Sequence, residues 1–142
     1  MASANFTFLT EHLANARINF ATDDFKAVLV SSVPSEANLD AWDFLDDVNN
    51  EITDTDYTAG GFAVTASVGT VDADNDRIAV TYSAASPTYS TATISAVGCI
   101  IYKDTGVAGT SPLAHFVDFD GTVSSTNGDF TVTFTTPFYI NR

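Results

Sequence analysis

The sequence is short of positive charge. It has five lysine and arginine residues against 18 aspartate and glutamate residues, which gives a formal net charge of −13 at pH 7. The five cations are scattered along the chain, at Arg17, Lys26, Arg77, Lys103 and Arg142. Nucleic acids and anionic membrane surfaces are both held by clustered cations. We therefore expect neither nucleic acid nor a membrane as a partner.

Cysteine is nearly absent as well. Cys99 is the only one and lies in an apolar run, so an internal disulfide and a multi-cysteine metal site are excluded. We expect an inert core thiol rather than a nucleophile. The first residues lack the basic and apolar segments of a signal peptide, and no apolar run is long enough to span a membrane. These absences predict a soluble protein made in the cytoplasm.

Sheet-forming residues, in contrast, are abundant. Apolar residues make up 45% of the 142, with 11 Phe and 5 Tyr, which is enough for a core and argues against disorder. The long helix formers are scarce. No linker or repeat divides the chain, so we predict one domain over residues 1–142. Regular strands separated by turns predict a mainly β fold: an antiparallel β-sandwich or barrel-like sheet, with one or two short helices in the N-terminal third.

The strand candidates differ in pattern. Residues 25–33 are almost continuously apolar, which indicates a strand covered on both faces. A turn is predicted at Asp120–Gly121, and the Asn127–Gly128 pair predicts a tight turn before a last, Thr-rich strand at residues 130–136. The remaining candidates are residues 62–68, 78–82, 92–102 and 113–119. The strands at 92–102 and 130–136 carry few charges and would be sticky at a sheet edge, which modestly favours oligomerisation; the alternative is an interior position for both.

Residues 1–19 are predicted to form a docking arm or a short helix. The helix would cover residues 10–17, with Thr10 as its N-cap. Its inward-facing side chains would be Leu13 and Ala14.

The second predicted helix covers residues 39–48 and carries the most acidic part of the chain. Asn38 would be its N-cap. The apolar residues recur at helical spacing, at Trp42, Leu45 and Val48. The acids that remain to form a charged face are Asp40, Asp43, Asp46 and Asp47. Such a face is more often simply solvated, and the alternative is an acidic surface that docks on a basic partner.

A loop of alternating acids is the sharpest chemical pattern, with Asp72, Asp74 and Asp76. Alternating carboxylates begin a calcium-binding loop of the EF-hand type. The glycine and the closing glutamate of that loop are missing here, and Arg77 places a cation beside the acids. A solvated hairpin turn is therefore favoured over a calcium site.

The other candidates for chemistry are two histidines and a pair of glycines. His12 and His115 have no partner at a telling spacing, so a structural role is expected for both. Gly60–Gly61 is not followed by the lysine and hydroxyl residue of a phosphate loop, and predicts a turn before a strand. We predict no catalytic, cofactor-binding or metal-binding residues and no enzyme activity.

Four segments share their order and approximate spacing with a known family. They are FKAVLV at 25–30, YTAGG at 57–61, IIYKDTG at 100–106 and SSTNGDF at 124–130. Together they resemble a family of small structural proteins of tailed-bacteriophage particles. The resemblance spans roughly residues 20 to 136 and implies a virion component without cofactor or catalytic residues.

Within that family, a capsid decoration (cement) protein that binds and stabilises the assembled shell is the expected role. The implied partners are the chain itself, as a homotrimer or another symmetric oligomer, and the major capsid protein or another virion protein. Two alternatives stay open: a tail, head–tail or fibre-base accessory protein, and a surface glycan-binding module. The aromatic side chains that could stack on sugars are Trp42, Tyr57, Tyr82 and Tyr89; for Trp42, on the apolar face of the predicted helix, a core role is favoured.

Overall fold

The computed structural model describes residues 2–141; Met1 and Arg142, the last of the scattered cations, lie outside the described residues. The strands are β1 (Ala4–Asn5), β2 (Phe25–Val30), β3 (Phe62–Asp72), β4 (Arg77–Ala84), β5 (Tyr89–Lys103), β6 (Leu113–Phe130) and β7 (Phe138–Asn141). The helices are α1 (Leu9–Ala14) and α2 (Glu36–Ala41), and single 3-10 turns lie at Leu45–Asp47 and Ala108–Thr110. The prediction of a mainly β fold with short helices in the N-terminal third is confirmed.

All seven strands belong to one antiparallel sheet with the order β1-β6-β5-β2-β3-β4-β7. The sheet curls into a nearly closed barrel, which confirms the barrel-like form of the prediction. The curl is strong enough that Tyr82 on β4 is hydrogen-bonded to His115 on β6 at 2.6 Å, although these strands are not neighbours in the sheet.

Strand β2 is the centre of the sheet and is buried on both faces. Phe25, Ala27 and Leu29 point into the barrel. Val28 and Val30 alternate with them and join a second apolar cluster on the outer face, which includes Trp42 and Leu39 of the α2 region. A strand with two buried faces cannot alternate between apolar and polar residues. The nearly continuous apolar run therefore predicted the strand correctly, although it ends at Val30 and not at Val33.

The predicted turns around residues 120 and 127 lie instead within the long strand β6. Asp120 and Asn127 have positive φ angles of 58° and 46°, and Gly121 has 132°. The pairing of β5 with β6 shifts register at these places, so the residues form bulges that bend the strand without ending it. Turn-forming residues also suit a bulge, and their sequence pattern does not separate the two.

Helix α1 begins earlier than predicted and buries other residues. Phe8 is its N-cap and makes no side-chain capping bond, so Thr10 is not the cap. The buried residues are Leu9 and His12, whereas Leu13 is half-buried and Ala14 is exposed. The prediction of the inward face was correct for Leu13, which packs against the barrel core, and wrong for Ala14.

Helix α2 also differs from its prediction. Ser35 is the N-cap, and Asn38, predicted as the cap, is the third residue of the helix. The Asn38 side-chain oxygen accepts a hydrogen bond from the Ser35 amide at 2.9 Å. The helix ends at Ala41. Trp42 then turns extended and enters the outer cluster, and Phe44 forms a bridge with Pro112. Trp42 is buried as predicted, but the helix ends where Trp42 enters the cluster.

Candidate functional site

A cleft opens between the two edge strands of the sheet. β1 and β7 lie at opposite ends of the strand order and flank a cleft of about 770 Å³. We call this cleft the seam. Its walls are formed by residues 2–5, 117–120, 123 and 131–139. The barrel is therefore open along one line rather than closed by pairing of its edges.

The prediction of a last strand at residues 130–136 is wrong, because residues 131–137 belong to no strand. Their side chains alternate as predicted, with Val132 buried and Phe134 half-buried between exposed threonines. Within residues 2–141, however, their backbone groups have no backbone partner, and the Val132 amide donates to the Thr88 hydroxyl at 2.9 Å. The strand that pairs with β4 is β7, which follows Pro137. Alternation shows which side chains face inward but not whether a neighbouring strand is present.

The seam is acidic. Asp118 and Asp120 line one wall, and the described residues of the lining include no lysine or arginine. The Asp118 carboxylate accepts a hydrogen bond from the Asp120 amide at 2.8 Å, and the Asp118 amide donates to the Ser3 hydroxyl at 2.8 Å. Each of the four described cations pairs with a carboxylate within 4.0 Å, namely Arg17, Lys26, Arg77 and Lys103. The chain therefore presents a surplus of negative charge.

His115 stacks on Phe138, one of the residues that line the seam, with ring centroids 4.1 Å apart. Its ring is completely buried, also stacks on Phe20, and is hydrogen-bonded through Nδ1 to Tyr82. Burial lowers the pKa of His115 to about 3. The imidazole is therefore neutral near pH 7 and forms part of an aromatic core.

His12 has a partner that the sequence did not reveal. Its Nε2 lies 2.9 Å from a carboxylate oxygen of Asp43 and 3.1 Å from the Asp43 backbone oxygen. Both atoms are acceptors, so Nε2 carries a proton. Partial burial raises the pKa of Asp43, and the nearby His12 opposes that rise. The pair joins α1 to the segment after α2. Asp43 was predicted to lie on a solvated helix face, and this prediction is wrong for Asp43.

Most of the acids between residues 36 and 56 bind groups of the protein itself. Asp54 and Asp56 accept hydrogen bonds from the β5 amides of Ser95 and Thr93 at 2.9 and 2.8 Å. Three more accept from amides or hydroxyls elsewhere in the chain: Asp40, Asp47 and Glu51. With Asp43, six of the eight acids in this stretch are engaged. Of the four acids predicted to form a charged face, Asp40, Asp46 and Asp47 are exposed, as a solvated face requires, and Asp43 is half-buried. Most carboxylates of this stretch also have a structural role.

The loop of alternating acids is a hairpin turn between β3 and β4, as favoured from the sequence. Asp72 accepts from the Asn75 side chain at 2.8 Å and pairs with Arg77 at 3.4 Å; the Asn75 bond and, to a lesser degree, Arg77 lower the pKa of Asp72. Arg77 also lies over the ring of Tyr139 at 3.8 Å. Within residues 2–141, no cluster of three or more His, Cys, Asp or Glu side chains is arranged to hold a metal ion, and this includes Asp74 and Asp76.

The thiol and the paired glycines have the structural settings expected for them. Cys99 is fully buried, and burial raises the pKa of its thiol. Gly60 and Gly61 have φ angles of 89° and 83° and form the turn before β3. The Gly60 carbonyl accepts a hydrogen bond from the Tyr102 hydroxyl at 2.6 Å.

The aromatic residues considered for sugar stacking are mostly internal. Trp42, Tyr57 and Tyr82 are buried and Tyr89 is half-buried. These side chains therefore do not form an exposed stacking surface.

No α-helix in the described part of the chain is long and apolar enough to cross a bilayer. Comparison with protein-family models, with curated proteins and with solved structures finds no match to this chain. The seam was not predicted, because it depends on strand order and not on any local pattern. The nearest sequence signal is the sparsely charged segment 130–136, which indicates a partner only if it lies at a sheet edge.

Proposed function

We propose that this chain is a non-catalytic structural subunit of a tailed-bacteriophage particle, and that it acts as a capsid decoration protein. The observation that carries the proposal is the seam: an acidic cleft between two edge strands, each of which pairs on one side only within residues 2–141. Exposed edges of this kind are normally covered, often by another chain. The segments that resemble the phage family support the same role.

The proposed mechanism is binding of an assembled surface through the seam. A subunit that binds only the assembled shell stabilises that shell by mass action. Repetition of the same contact over many equivalent sites multiplies a weak interaction. The acidic surplus of the chain favours a docking site that is positively charged. Association as a homotrimer or another symmetric oligomer remains a prediction that accompanies this role.

Sedimentation with phage components tests the proposal. The purified protein is mixed separately with DNA-filled heads and with isolated tails of the phage whose genome encodes it, and each mixture is run on a density gradient. We expect the protein to travel with the heads at a fixed copy number per shell and to raise the temperature at which shells disrupt. Travel with tails alone would favour a tail accessory protein. Protein that stays at the top of both gradients would contradict a virion role.

A further inference from the structure

The strand directions leave a place for one more strand in the seam. Each of the six neighbouring pairs in the sheet is antiparallel, so β1 and β7, which are six steps apart, run in the same direction. These two edges cannot close the barrel by antiparallel pairing with each other. A strand of the opposite direction between them would be antiparallel to both, and would complete a barrel of eight strands, seven from this chain and one added.

We propose that the seam binds an extended segment of a partner protein as this eighth strand, and that the segment carries lysine or arginine on its solvent-facing side. The inference rests on the proposed function in one respect, namely that the partner belongs to the same assembly. It goes further by stating the chemistry and the direction of the bound segment.

The backbone around the seam supports strand addition. β1 and β7 each pair on one side only, and residues 131–137 have no backbone partner within the described chain. An added strand binds such edges through main-chain hydrogen bonds, and its alternate side chains give specificity. Its inward side chains would meet Phe134 and Phe138, which pack on the barrel core. We therefore expect those inward side chains to be apolar.

Charge decides between a partner protein and a second copy of this chain. Asp120 lines the seam, and the lining residues within 2–141 include no lysine or arginine. A second copy would bring a further net charge of −13 to this acidic wall. A segment with outward lysine or arginine is instead attracted to it, and such complementarity raises both the rate and the specificity of association.

Peptide binding tests the inference directly. The probe is a fluorescent peptide of about eight residues, a typical strand length, in which Val alternates with Lys. We expect saturable binding by anisotropy, and slowing of amide hydrogen exchange by about tenfold or more at residues 131–136 and in β7. A copy of this peptide with alternate amides N-methylated cannot form all of the interstrand hydrogen bonds. We expect its affinity to be lower by about tenfold or more. A peptide with Glu in place of Lys is expected to bind more weakly than the Lys peptide, with a difference that shrinks as salt rises.

Two matched variants locate the binding site. Asp120→Asn removes a charge from the seam, and Asp76→Asn removes one from the β3–β4 turn; both positions have positive φ, which asparagine tolerates. Asp120→Asn should weaken the lysine peptide roughly two- to fivefold, the range for exposed ion pairs. Asp76→Asn should leave its affinity unchanged.

Several results would overturn the inference. These are equal binding of the lysine and glutamate peptides, no slowing of exchange at residues 131–136, and equal effects of the two variants. A stable dimer that protects these residues without peptide would also overturn it, because a second copy would then occupy the seam. If the protein travels with phage heads but binds no peptide, the strand inference fails and the proposed function stands. If the protein binds the peptide but no phage component, the proposed function fails and binding of an added strand in the seam stands.

Discussion

The buried imidazole of His115 is expected to make the protein less stable as the pH falls below neutral. The ring is fully buried among aromatic side chains, and its Nδ1 is bonded to Tyr82 at 2.6 Å. Burial lowers its pKa to about 3. An exposed histidine in the unfolded chain has a pKa of about 6.5. Between these two values the unfolded chain binds a proton that the folded protein does not.

The sign and size of the effect follow from this difference. Because the folded-state pKa is lowered, the contribution of His115 to stability is fully present above about pH 6.5 and is lost as the pH falls towards 3. Proton linkage with these two values gives a loss of about 2 kcal/mol between about pH 7 and pH 5. A folded pKa one unit higher leaves this loss at about 2 kcal/mol, because about pH 5 still lies above it.

The assay compares the protein with His115→Gln by urea unfolding at both pH values. Trp42, the only tryptophan, is buried and reports the transition by fluorescence. We expect the original chain to lose about 2 kcal/mol more than the variant on going from about pH 7 to pH 5. Every other ionisable group is common to the two proteins, so the comparison isolates the contribution of His115. A parallel loss in the two proteins would refute the claim that folding keeps His115 neutral.

Two further predictions concern backbone positions and use urea unfolding near pH 7. Gly61→Ala is expected to lower the free energy of unfolding by about 3 kcal/mol or more, because the added Cβ would lie 1.8 Å from the Ala27 carbonyl oxygen. Gly106 has the same φ of 83° but lies in open space, so Gly106→Ala should lower it by about 1–2 kcal/mol. Equal losses would contradict the close contact. Ser35→Ala removes the α2 cap and should cost about 1 kcal/mol, while Thr10→Ala, at a position that caps nothing, should change stability by less than about 0.5 kcal/mol. A larger loss at Thr10 would contradict the assignment of the cap.

The sequence predicted the strands best where burial follows a simple period. The alternation at residues 78–82 and the continuous apolar run at 25–33 both led to correct strands, because they report which faces are covered. It failed where tertiary contacts override local preference. The helix predicted over residues 39–48 stops at Ala41, since Trp42 is held in the outer cluster. Local spacing carries no record of that competition.

The polar contacts were harder still to predict. His12 and Asp43 are 31 residues apart, and β1 pairs with a strand more than 100 residues later in the chain. Sequence reasoning gave no basis for joining either pair. The seam follows from the same long-range arrangement: it exists because the first and the last strand occupy opposite edges of the sheet and point the same way. Of the properties of the seam, the composition predicts only its excess of negative charge.

The two aspartates beside β5 have a consequence for behaviour in concentrated solution. Asp54 and Asp56 are two residues apart, which matches the strand repeat, and their carboxylates occupy the amides of Ser95 and Thr93. Those amides are therefore closed to another molecule's strand, which is how natural sheets avoid templated fibril growth. Replacing both acids with alanine should therefore appear first as a concentration-dependent increase in aggregation.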